Sequence, residues 1–264
     1  MTAGTVSLGV FGRDPLSDEQ RWADVFAAID ELVPVLAPKR WDADEPLRKK
    51  WEGERSAREA GHMGGLLAVP KAGGNLTMDR KNAPVGCHTS LRIDAPAPDD
   101  LEQAALVDLL RRLAVAMDAN YGYLHLLPPP PWKSGRVRYA DHYEGHTSLL
   151  IPEWILELYL PNIYWGNVFG VDYVGFFGRD RLLSAPAAVV DLFDDDRFYF
   201  QATERLADCL DDNERYVVAS RAVMDHLGRD AFVDPAHYQR PGRTPDFSYL
   251  RDEAPPRPYK PLPP

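Results

Sequence analysis

The chain has 264 residues and a formal net charge of −10. A hydrophobic share of 45% with 11% aromatics marks a globular chain rather than a disordered one. An acidic chain of this kind has no general attraction to nucleic acid or to an anionic membrane, and its field favours basic partners instead. No stretch approaches about 18 uninterrupted apolar residues, so no membrane span is expected. The opening MTAGTVSLGVFGRD lacks a basic region followed by a long apolar one, so no secretory signal is expected either and the expected location is the cytoplasm. Cys87 and Cys209 form no CxxC pair, and free, buried thiols are expected at both.

In chain order, Thr5–Arg13 alternates as a first strand does. A helix follows, opened by a capping box of Ser17 and Gln20. Trp22, Val25, Phe26, Ile29, Leu32 and Val33 recur there at helical spacing, a stripe suited to covering a sheet. The segment 37–65 is polar and irregular and is expected to be a long surface excursion. HMGGLLAVPKAGG, which overlaps its end, is expected to be a flexible loop or hairpin. NLTMDR and CHTSLRID are candidate strands. A second helix is expected from Pro98 and Asp99, with Glu102 completing its capping box and Leu106, Leu109, Leu110, Leu113 and Met117 on one face.

YGYLHLLPPPPW suggests a short strand halted by four prolines. PEWILELYL suggests a brief helix with Pro152 in its first turn. NIYWGNVF and DYVGFFG are expected to be two short strands, and RFYFQAT another. DDNERYVVASRAVMDHLG is expected to be a third helix, ended by Gly228. Short strands close together, without helical crossovers, predict a mostly antiparallel sheet covered by about three main helices. The fold class is α+β, with one domain over residues 1–250. The tail 251–264 holds six prolines and is expected to be extended or disordered.

The segment YADHYEGHTS gathers Asp141, His142, Glu144 and His146. His142 and His146 have the i, i+4 spacing of a zinc-binding helix, but a glycine lies between them and the acid is displaced from the general-base position. A small metal-assisted hydrolase using His142, Glu144 and His146 is therefore the alternative reading. There is no GxSxG elbow, phosphate loop or dinucleotide fingerprint. No catalytic residue, cofactor or metal is expected. Asp194, Asp195 and Asp196 form one carboxylate run, and Asp211 and Asp212 a second; neither has the ligand order of a calcium loop. With Asp141 and Glu144 they are the candidate contacts for lysines and arginines of a partner. Trp165, Phe169, Tyr173, Phe176 and Phe177 are expected to fill a core in which Gly166, Gly170 and Gly175 permit close approach. The other reading of this stretch is an aromatic binding surface.

LPNIYWGNVFGVDYVGFFGRDRLLSAP and, further on, HLGRDAFVDPAHYQRPGRTPDF resemble a bacterial polymorphic-toxin immunity family, immunity protein 52, related to type VI immunity proteins. The resemblance runs over Tyr164, Trp165, Phe169, Gly170, Phe177 and Gly178, then Leu227, Gly228 and Phe232, and closes on 241–247. YGYLHL resembles the strand after that family's central helix. The resemblance implies an antidote, not an enzyme, that binds and neutralises a nuclease toxin with a restriction-endonuclease-type fold. It implies no catalytic residues, and it makes the matched positions a structural signature. The net charge of −10 independently suits a basic nuclease surface.

Overall fold

The computed structural model describes residues 4–80, 87–97, 102–128, 151, 153–194, 196–233 and 242–252. Strand β1 (Thr5–Gly12) leads into helix α1 (Glu19–Leu32). The cap of α1 is Asp18 rather than Ser17: its carboxylate accepts the Gln20 N–H at 2.8 Å. Strands β2 (Pro38–Asp42) and β3 (Lys49–Lys50), helix α2 (Glu54–Met63), and strands β4 (Gly65–Pro70), β5 (Asn75–Asp79) and β6 (Thr89–Pro96) follow. Helix α3 (Gln103–Ala116) has Glu102 as its N-cap residue, one turn later than the capping box predicts, and Pro98 and Asp99 lie outside the described residues. Strand β7 (Ala119–Leu127) is longer than expected and buried along all nine residues.

Residues 153–157 form a short 3-10 turn. The chain then forms β8 (Gly166–Phe169), α4 (Val171–Phe177), α5 (Arg179–Leu183), β9 (Val189–Phe193) and β10 (Arg197–Gln201). Helices α6 (Asp208–Asp211), α7 (Asn213–Leu227) and α8 (Ser248–Asp252) complete the described chain. The strands form one sheet in the order β3-β2-β4-β5-β6-β1-β7-β8-β10-β9, and every pairing is antiparallel. No described helix is long and apolar enough to cross a membrane.

The sheet is the wall between two cores. On one face, Val6, Leu8 and Val10 of β1 and Leu91 and Ile93 of β6 share a core with the apolar stripes of α1 and α3 and the buried alanines of α2. On the other, Tyr121 and Tyr123 of β7, Phe169 of β8 and Phe198 and Phe200 of β10 meet α4, α5, the later part of α7, and Phe247. Glycine thins the wall where large rings must lie flat on it. A Cβ on Gly9 would come within 2.3 Å of the Tyr123 ring, which rests across β1.

Four expectations change here. The segment 37–65 is not an excursion: it holds β2, β3 and α2. The buried positions of α2 are Ser56, Ala57, Ala60 and Gly61, so it has no stripe of large apolar residues to reveal it. Gly61 backs directly onto Trp22, where a Cβ would sit 2.9 Å from the ring. GLLAVP takes the hairpin alternative: it is strand β4, with every second residue buried, and pairs antiparallel with β5 across the turn that follows it. DYVGFF is helical: its buried members are Tyr173 and Phe177, spaced i, i+4, although its β-branched and aromatic composition suggests a strand. The described residues carry eight α-helices rather than about three, of which α1, α2, α3 and α7 have ten or more residues. The predicted tail begins inside α8, and residues 253–264 lie outside the described chain.

Gly170 and Gly175 give opposite tests of this packing. A Cβ on Gly170 would stand 1.9 Å from the Ala119 carbonyl oxygen, while one on Gly175 meets nothing within 4 Å. Gly170→Ala should destabilise at or above the upper end of the ~1–3 kcal/mol typical of overpacked interiors, because backbone cannot step aside. Gly175→Ala, at an exposed position in α4, should stabilise by up to about 1 kcal/mol. Chemical denaturation of both variants measures the contrast.

Candidate functional site

Most of the aromatic and glycine-rich stretch is interior, whereas Gly175, expected at a close approach, is exposed and Phe176 is only partly buried. All residues from Tyr159 to Gly170 are buried, and Tyr164, Trp165 and Phe169 have no measurable exposure. The buried Asn167 amide ties the turn before β8, accepting from the Tyr164 N–H at 2.9 Å and donating to the Tyr164 carbonyl at 2.7 Å. From α7, the Tyr216 and Ser220 hydroxyls both donate to the Ile163 carbonyl, at 2.9 and 2.7 Å. The Phe177 and Phe232 rings stack with centroids 6.5 Å apart, and Leu227 is fully buried beside them. Gly178, at φ +86°, makes the left-handed joint between α4 and α5, and Gly228 ends α7. These side chains offer no aromatic platform to a ligand.

The first carboxylate run is the tip of the β9–β10 hairpin. Its organiser is Arg197, whose side chain is only 10% exposed and which binds Asp118, Asp194 and Asp196. Arg13 meets Asp118 from the other side at 2.7 Å. The Asp194 and Asp196 side chains nevertheless remain about half exposed, so the tip keeps a solvated negative rim over one buried cation. Asp195 lies outside the described residues. The second run is the α6–α7 junction. Asp212 caps α7 by accepting the Arg215 N–H at 3.3 Å, and Asp211 is exposed. Beneath them Asp208 is fully buried. Burial pushes its carboxyl upward, but bonds from Arg205 and Thr203 outweigh that and hold it below the usual carboxylate range. Asp141, His142, Glu144 and His146 all lie outside the described residues. Among the described residues, no group of three or more His, Cys, Asp or Glu side chains is arranged to hold a metal ion.

A further acidic feature escapes a search for carboxylate runs. Helix α1 and the start of α2 enclose an open cleft of about 340 Å³, with Phe26 and Trp51 as its floor and Gln20, Asp24, Asp30 and Glu54 among its walls. The two rings lie 4.8 Å apart, centroid to centroid. Ala27, small and outward-facing on α1, leaves the space above them open. Asp24 accepts from Gln20 at 2.8 Å, Asp30 pairs with Lys71 at 2.8 Å, and Glu54 pairs with Arg58 at 2.8 Å. An apolar aromatic floor under carboxylate walls suits the stem and head of a basic side chain. The outward spacing of Gln20, Asp24 and Ala27 on α1 carries the signal. The other wall stands more than twenty residues away, in the segment that looks irregular.

Both cysteines are free and buried, as expected, and each stands beside a histidine. Cys209 Sγ lies 3.4 Å from His125 Nδ1, and Cys87 Sγ lies 3.3 Å from His88 Nδ1, whose other nitrogen is 3.2 Å from the Asn120 amide. Burial pushes the Cys209 thiol up to about 12 from its ordinary 9.0. A thiol so held is protonated near neutrality and is a poor nucleophile. Between pH 9.0 and about 12 the unfolded chain has released a proton that the folded chain keeps. The stabilisation is therefore complete below pH 9.0 and fades as pH rises through this window. Urea unfolding across the window should show falling stability in the native protein and a visibly shallower fall in Cys209→Ala.

No family model matches the chain, and no curated protein matches it. Among solved structures, the fold is similar to that of the Pseudomonas aeruginosa T6SS protein PA0821. The TM-score is 0.52 at 14% sequence identity, and the match covers 96% of this chain and 90% of that one. At that identity the likeness is one of fold. The specific resemblance to the immunity protein 52 family has no matching family model behind it; what stands is an α+β architecture shared along nearly the whole chain with a T6SS protein.

Proposed function

We propose that this chain is an immunity protein of a type VI-associated toxin system: a cytoplasmic antidote that binds a cognate nuclease toxin and catalyses no reaction itself. The observation that carries this reading is the likeness to a T6SS protein over 96% of the chain. The sequence resemblance to immunity proteins and the net charge of −10 lean the same way. A nuclease presents lysines and arginines where it grips phosphates. An antidote that covers them needs carboxylates free to accept charge-assisted bonds, and bidentate ones from arginine are the strongest. The α1–α2 cleft and the hairpin tip both present carboxylates to solvent with part of their bonding capacity unused.

The test starts from the neighbouring gene, which this reading expects to encode a large secreted protein with a C-terminal nuclease-like domain, and co-expresses that domain with this chain. Growth should be rescued, and the two should co-purify as a complex lacking nuclease activity. Continued toxicity with no complex would overturn the reading. Replacing His142 and His146 together should leave protection intact, whereas a hydrolase would lose its activity. Neutralising the cleft with Asp24→Asn and Glu54→Gln should slow association by about tenfold at low salt, with the rates converging as salt rises. Stopped-flow association rates against ionic strength measure this.

A further inference from the structure

The two edges of the sheet are built differently. The β3 edge is two residues long, and both are lysines, Lys49 and Lys50. Shortness and lysine are devices that discourage another strand from adding. The β9 edge has five residues, four of them apolar, and all five are half-buried. Its inner side pairs with β10 from Val189↔Gln201 to Phe193↔Arg197. Among the described residues no strand pairs with its outer side.

Both cores run out to this edge and stop there. Val189 and Phe193 pack at the margin of the first core, and Val190 and Leu192 at the margin of the second. Among the described residues, an incoming strand would therefore find an open backbone ladder and apolar side chains on both faces, which is what strand addition uses.

Charge selects what can add. From Ser184 to Asp196 the sequence carries Asp191, Asp194, Asp195 and Asp196 and no lysine or arginine. Arg111 reaches Asp191 at 2.8 Å, and Arg197 reaches Asp194 and Asp196. Among the described residues, Asp191, Asp194 and Asp196 face only two guanidiniums, one of them shared with Asp118, and the edge stays negative. A second copy pairing here about a two-fold axis centred on Asp191 would set the two Asp191 residues opposite each other, an unfavourable cross-strand pair. We infer that the outer edge of β9 docks an extended, cationic segment of a partner protein as an additional strand. The inference stands on the edge itself and does not require that partner to be a nuclease.

The test uses the full chain and a synthetic capped peptide of alternating valine and lysine. The peptide should bind, and on binding it should slow amide hydrogen exchange in residues 187–194. Replacing its lysines by glutamates should weaken binding by about tenfold or more. Methylating its backbone nitrogens throughout should abolish binding, since the ladder then has no donors. No binding of the valine–lysine peptide, binding that leaves exchange in 187–194 unchanged, or equal affinity for the glutamate peptide would each overturn the proposal. So would self-association of the chain alone that protects the same amides, which would assign the edge to a second copy.

Discussion

A strand buried on both faces can show water neither side of itself, and β7 meets that condition along its whole length. Leu124 and Leu126 face the helices of one core, while Tyr121 and Tyr123 face the aromatic core opposite. Its edges are equally committed, one to β1 and the other to β8. The rest of the molecule arranges itself around these demands. Helix α3, which precedes β7, packs back onto it and onto β1. The chain after β8 folds over the aromatic face as α4 and α5. The bend out of β8 is pressed so closely to the start of β7 that the Gly170 N–H donates to the Asn120 carbonyl at 2.8 Å.

The charges divide into those that hold this framework and those left at its surface. Arg197, nearly buried, would be costly without its carboxylates, so Asp118 and the hairpin tip are structural partners first. The same tip keeps its outer oxygens in water. The cleft floor follows the same rule: Trp51 and Phe26 belong to the packing beneath α1, and the carboxylates around them are exposed side chains of α1 and α2. An acidic surface with these footings can meet a basic partner without the fold having to rearrange.

How much of this could be read from sequence depended on side-chain size. Helices α1, α3 and α7 announce themselves because Trp22, Phe26, Leu106, Leu110, Tyr216 and Val223 are large and recur at helical spacing. Helix α2 buries serine, alanine and glycine, so its contact with Trp22 leaves no hydrophobic signal. Helix α4 misleads for the opposite reason, since its content of Val171, Tyr173, Val174 and Phe176 favours strand while its position over the aromatic core imposes a helix. Strand β9 is short and half-buried on both faces and leaves no alternating pattern to announce it, and the cleft, assembled from segments far apart in sequence, has no local motif. The burial of both cysteines needed only their type and spacing.

The position of β1 bears on how the chain is made. It is made before both of its partners, β6 at Thr89–Pro96 and β7 at Ala119–Leu127. The chain must be made through Pro96 before one edge of β1 can be closed, and through Leu127 before the other. During that interval an apolar strand lacks its neighbours, a state prone to wrong pairing. Helix α1 follows immediately, and its apolar stripe enters the same core as one face of β1, so it can bury apolar surface there until α3 is made and packs on that strand.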